Sequence, residues 1–127
     1  MDILTEVERV LSERGFKCLP DERGIVIPLR IDDHLYEFLF YEDSNFIRSL
    51  GIIYEFKSFV KDTRIIEEIL KIPTKFRVSI GLDDEGDLIF EVWNNGSVES
   101  LLGAFLLFLR FVKWLRESLD DLKPFRL

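Results

Sequence analysis

The sequence predicts an α+β fold, α-β(3-4)-α-β2-α, with one antiparallel sheet and the helices packed on one of its sides. Three observations carry this. Apolar residues recur at three- and four-residue spacing near both ends of the chain and around residues 65–70. Between those stretches they alternate with a period of two. Clusters of Asp, Glu, Asn, Ser and Gly interrupt the alternation where turns are needed. No repeat, low-complexity tract or linker divides the chain, so residues 1–127 are expected to form a single domain.

The first helix opens at Asp2, a capping residue, and carries Ile3, Val7, Val10 and Leu11 on one face. Gly15 sits where helices commonly end in a left-handed residue, with Phe16 placed to fold back on the last turn. A short strand is expected over Phe16 to Leu19, closed by Pro20 and a turn over residues 20–24. Gly24 to Ile31 puts Ile25, Ile27, Leu29 and Ile31 on one face, and Pro28 marks this strand as an edge or a bulge. Past the Asp32-Asp33 turn, His34 to Tyr41 is apolar on both alternating sets, which implies that both faces are at least partly covered. Residues 42–45 make another turn, and Phe46 to Phe56 reads as a fourth strand whose beginning could instead be a helical turn.

Asp62 or Thr63 can cap a short helix carrying Ile65, Ile66, Ile69 and Leu70, which should stop before Pro73. Phe76, Val78, Ile80 and Leu82 then alternate up to an acidic turn over residues 83–87, and Leu88 to Trp93 returns as the second strand of a hairpin. Residues 94–97, Asn-Asn-Gly-Ser, open the last helix, expected over Ser97 to Leu122.

The chain of 127 residues is 47% hydrophobic, 32% charged and contains 12 Phe, enough for an aromatic-rich core. A net charge of −7 argues against nucleic acid, which needs a concentrated cationic surface. It argues less strongly against an anionic membrane. Cys18 is the only cysteine, so no internal disulfide can form. The first residues lack the basic and apolar regions of a signal peptide, and Leu101 to Leu109 falls short of the ~20 apolar residues of a membrane span. The expected setting is cytoplasmic. Gln is absent and Asn occurs only at 45, 94 and 95, a usage resembling that of hyperthermophile proteins.

At about 100° per residue, the last helix places Leu101, Ala104, Phe105, Phe108, Val112, Leu115 and Leu119 on a core stripe. Glu99, Arg110, Lys113, Glu117 and Asp121 fall roughly opposite. That leaves a surplus. Leu102, Leu106 and Leu109 climb one flank, and Leu107 and Trp114 lie on the other, near Gly103. A helix this apolar around its circumference must be covered on more than one side. The sheet or the first helix could cover it, or a second molecule could, most simply a second copy across a two-fold axis. Leu102, Leu106, Leu109 and Trp114 are therefore the candidate interface residues.

Catalytic machinery is not evident. His34 is the only imidazole, beside Asp32 and Asp33, and no nucleophile-elbow sequence accompanies it. Cys18 reads as a small buried apolar residue. One Cys and one His cannot complete a zinc site without carboxylates, and the acidic run 83–87 lacks the spacing of a calcium loop. No glycine-rich loop joins a strand to a helix, so neither metal nor phosphate-bearing cofactor is expected.

The element order resembles the type III secretion chaperone-like fold and the related bacterial sensory-transduction-regulator-like proteins, whose pattern is helix, three strands, helix, two strands, helix. The matching segments are the first helix through Gly15, the strands near Gly24 to Tyr41, and the helix around Ile65 to Leu70. The hairpin Phe76 to Trp93 and the terminal helix complete the match, and the strand from Phe46 departs from it. The resemblance implies a dimeric, non-enzymatic, chaperone- or adaptor-like module that binds segments of other proteins. The alternative is a small-molecule-binding regulatory domain with a pocket under the last helix lined by Trp93, Trp114 and Tyr54. A third reading is an enzyme using carboxylates that the sequence does not pair.

Overall fold

The computed structural model describes residues 2–122, with side chains through Asp120. Asp121, placed above on the solvated stripe, has its side chain outside the described residues. Four helices and six strands follow one another as α1 (Ile3–Glu13), β1 (Leu19–Asp21), β2 (Gly24–Ile31), β3 (His34–Asp43), β4 (Phe46–Ile53), α2 (Phe56–Phe59), α3 (Thr63–Lys71), β5 (Val78–Leu82), β6 (Leu88–Val92) and α4 (Val98–Leu122). The strands form one antiparallel sheet in the order β1-β2-β3-β4-β6-β5. The α+β architecture expected from periodicity is the one observed.

Local chemistry sets the boundaries. Asp2 accepts from the Leu4 amide at the start of α1. At its end Gly15 takes φ 90°, the Gly15 amide bonds Ser12 and the Phe16 amide bonds Leu11, a Schellman arrangement. Phe16 then turns inward and meets Phe105 of α4 edge-on at 5.0 Å. This cap takes Phe16 out of the strand expected there, and β1 begins instead at Leu19. Pro20 lies within β1 opposite Ile25, and the turn narrows to Glu22 and Arg23. The outermost strand tolerates proline because its outer edge needs no donor. Pro28 follows the same rule: β1 covers β2 only as far as Val26, so Pro28 sits on an open edge.

The strand expected over Phe46 to Phe56 ends at Ile53. Glu55 adopts a left-handed φ of 55°, and its amide donates to the buried carboxylate of Asp87 at 2.8 Å. This turns the chain into the one-turn helix α2, which the sequence reading did not anticipate, and buries Phe56. Asp62 caps α3 through the Arg64 amide at 2.8 Å, and α3 passes into a 3₁₀ turn, Ile72–Thr74, at Pro73. That turn leaves Phe76 outside the hairpin, which starts at Val78 and ends at Val92.

The core lies between one face of the sheet and the helices. Ile25, Ile27, Tyr36, Phe38, Phe40, Ile53, Leu88 and Phe90 point into it from the strands. Leu101, Ala104, Phe105, Phe108, Val112 and Leu115, the predicted stripe of α4, meet them, with Leu119 half-buried. Phe111, not on that stripe, is also buried and stacks on Phe90 at 4.7 Å. α4 lies close over the sheet at Gly51, where an added Cβ would meet the Phe108 ring at 2.2 Å.

A polar clamp fixes where α4 begins. The side-chain amide of Asn94 donates to the Ile47 carbonyl at 2.8 Å and to the Ser49 hydroxyl, fully buried, at 2.9 Å. Its carbonyl oxygen accepts from the Gly96 amide at 2.9 Å. The clamp ties the loop after β6 to β4, and Ser97 then caps α4 through the Ser100 amide at 3.1 Å.

Candidate functional site

Three surfaces outside the core could engage a partner: the flank of α4 beside α1, a cleft beneath the other flank, and the face of the sheet without helices.

On the first flank, Leu102 and Leu109 are half-buried against the core, and only Leu106 is exposed, at 48%. α1 lies alongside, and a groove of about 280 Å³ between the two helices is lined by Val10, Leu11, Arg14, Leu102, Gly103 and Leu106. The first helix therefore supplies part of the cover that the apolar surplus demanded.

The other flank faces a cleft of about 310 Å³. Phe90 of β6 forms its floor. Leu107, Phe111 and half-buried Trp114 form the α4 wall, with Trp114 stacked on Phe111 at 6.0 Å and 25°. Ile72 and Phe76 form the opposing wall, and Lys71, Lys75, Arg110 and Glu68 line its rim. Lys71 is paired with Glu68 at 3.0 Å, and no ion pair is found for Lys75 or Arg110 among the described residues.

The expected pocket of Trp93, Trp114 and Tyr54 is not assembled. Trp114 lies in this cleft, whereas Trp93 follows β6, 58% exposed, under the Arg77 guanidinium at 5.0 Å. Alternation puts Trp93 on the sheet face opposite the helices. Tyr54 donates to the Glu37 carboxylate on that same side.

The third surface is the helix-free face of the sheet. β2, β3, β4 and β6 place Val26, Leu39, Leu50, Ile52 and Ile89 together on the helix-free side, in register as Val26–Leu39–Leu50 and Ile52–Ile89. All are half-buried by their strand neighbours, and none packs on the core cluster. Tyr41, Trp93 and Phe46, the last 74% exposed, extend the patch at one end. Within it Arg48 and Glu91 neutralise one another: Arg48 makes a bidentate pair with Glu91 at 2.7 and 2.6 Å and lies over Tyr41 at 5.4 Å. The apolar alternation on both sides of β3 was legible in the sequence; that one side would stay uncovered was not.

The groups with chemical potential are spent on structure. The His34 ring nitrogen Nε2 bonds the Tyr54 carbonyl at 2.7 Å, and its ring rests on Phe59 at 4.0 Å. Burial pushes the Cys18 thiol up, away from thiolate chemistry. Among the described residues no group of three His, Cys, Asp or Glu could hold a metal ion, and no helix is long and apolar enough to cross a membrane.

Two phenols carry a pH signature. Burial raises Tyr36 above its ordinary value, against the pull of the neighbouring Arg116 guanidinium, which also pairs with Asp32. Burial, then the bond to Glu37, raises Tyr54 further. A phenol raised in the folded state keeps its proton while the unfolded chain loses it. Stability from both groups is thus complete below about pH 10 and lost as pH climbs above it. Melting temperatures should begin to fall near that pH, and the fall should be shallower in Tyr54→Phe. Parallel profiles would remove Tyr54 from this account.

Comparison of the chain with protein families, curated proteins and solved structures finds no match.

Proposed function

We propose that this chain is a non-enzymatic protein-binding module that works as a homodimer, its two copies joined through the helix-free face of the sheet. One observation carries the reading. A contiguous apolar patch centred on Leu39, Leu50, Ile52 and Ile89 has no cover among the described residues. Patches of this kind on soluble domains mark interaction sites. Its mixed-charge, largely apolar character suits a surface that meets its own copy, because residues near a two-fold axis face their own counterparts.

Four strands about 4.8 Å apart and four side-chain rows about 6.8 Å apart outline roughly 19 by 20–27 Å. Pairing two such faces buries on the order of 750–1,000 Å², which approaches the ~1,000 Å² that a specific interface requires. The flank of α4 offers less, since α1 lies beside Leu102, and Leu109 is half-buried against the core.

Light scattering tests both surfaces. Wild-type protein should show twice the 15.0 kDa chain mass. Leu50→Lys should reduce it to one chain with an unchanged circular dichroism spectrum, because Leu50 lies outside the core, and Leu106→Asp should leave the dimer intact. Monomers from Leu106→Asp but not from Leu50→Lys would move the contact to α4. A single-chain mass for the wild type at about 100 μM, a concentration at which a micromolar dimer would persist, would sink the proposal.

A further inference from the structure

We propose that the cleft beneath α4 is a binding site for a small aromatic carboxylate. The site is independent of the dimer contact, since it opens on the helix side of the sheet. Two properties select the ligand. The first is shape. Phe90 and Phe111 stack at 16° and Phe111 and Trp114 at 25°, so each ring stacks on the next from floor to wall. Phe90 and Phe111 are buried, so half-buried Trp114 is the ring of the run on which a flat ring system can stack, as a flexible acyl chain cannot. A volume of about 310 Å³ lies at the small end of ligand sites and suits one or two fused rings.

The second is charge. The chain carries −7 overall, yet this cleft is lined by three cations and one carboxylate. Glu68 engages Lys71, which leaves Lys75 and Arg110 to face an incoming anion. The Arg110 guanidinium is suited to a carboxylate because its planar donors match both oxygens. An apolar floor under an unneutralised cationic rim is the arrangement that an aromatic acid complements at both ends.

Isothermal titration calorimetry of the full chain with sodium 2-naphthoate tests this. The acid should bind saturably, one per chain, and about tenfold or more tighter than neutral 2-naphthamide. Arg110→Glu and Lys75→Glu, both at exposed positions, should each weaken the acid about fivefold or more and leave the amide within about twofold. Leu107→Trp, which fills the cleft, should abolish binding of both. Absence of binding heat at millimolar ligand, equal affinity for acid and amide, or charge-reversed variants that bind the acid like wild type would each overturn the site. Decanoate binding more tightly than naphthoate would overturn its assignment to an aromatic ligand.

Discussion

Gly51→Ala is expected to destabilise the fold by about 1–3 kcal/mol although it adds a single methyl group. The added carbon would lie 2.2 Å from the fully buried ring of Phe108, so ring or helix must move. Phe108 also packs on Phe38 at 5.3 Å and Phe90 at 5.8 Å, which closes off easy retreat. Removing that ring is worse. Phe108→Ala should cost about 3–5 kcal/mol, since a cavity at the centre of the sheet–helix contact cannot collapse without shifting α4. A double-mutant cycle ties the two effects together. Phe108→Leu alone should cost roughly 1–2 kcal/mol, and with Gly51→Ala the pair should cost about 1 kcal/mol less than the sum, because the smaller side chain makes room. Thermal melts at one fixed protein concentration read this out, since association would otherwise shift the midpoint. Strict additivity would mean that Gly51 and Phe108 do not limit the approach of α4.

Asn94→Asp should cost about 2–4 kcal/mol while changing side-chain volume hardly at all. The amide nitrogen donates to the Ile47 carbonyl and the Ser49 hydroxyl, and an ionised carboxylate can donate to neither. It would set a negative charge against a carbonyl oxygen beside a hydroxyl with no solvent exposure. Asn94→Ala should cost less, about 1–3 kcal/mol, because it removes the partner without adding a repulsion. Hydrogen exchange offers a local reading: amides in the first turn of α4 should lose protection in either variant, while those of α1 keep theirs. Equal protection in both helices would show that the clamp does not anchor the start of α4.

Much of this could be read from residue order. Asp2, Gly15 and Asp62 act as the caps their positions suggested, because capping depends on a few neighbouring atoms. The stripe from Leu101 to Leu115 packs on the sheet as the helical period required. Other features were out of reach. α2 depends on the Asp87 carboxylate, 32 residues from the Glu55 amide it holds. The displacement of β1 follows from Phe16 finding Phe105, a contact between opposite ends of the chain. Asn94 read as a turn residue, and only the fold puts Ile47 and Ser49 within its reach.

The candidate surfaces divide in the same way. Periodicity alone determined that α4 carries more apolar residues than one core face uses, and that β3 is apolar on both sides. It did so because side-chain direction along a regular element is fixed by local geometry. What lies against each direction is a property of the whole chain. Tertiary packing laid α1 along Leu102 and Leu106, and it brought Ile72, Phe76 and Lys75 opposite Phe111 and Trp114 to open a cleft. It also set the core on one side of the sheet and left Leu39, Leu50, Ile52 and Ile89 without cover among the described residues on the other. The sequence specified which residues need burial; the packing of distant segments decided which of them obtained it within one chain.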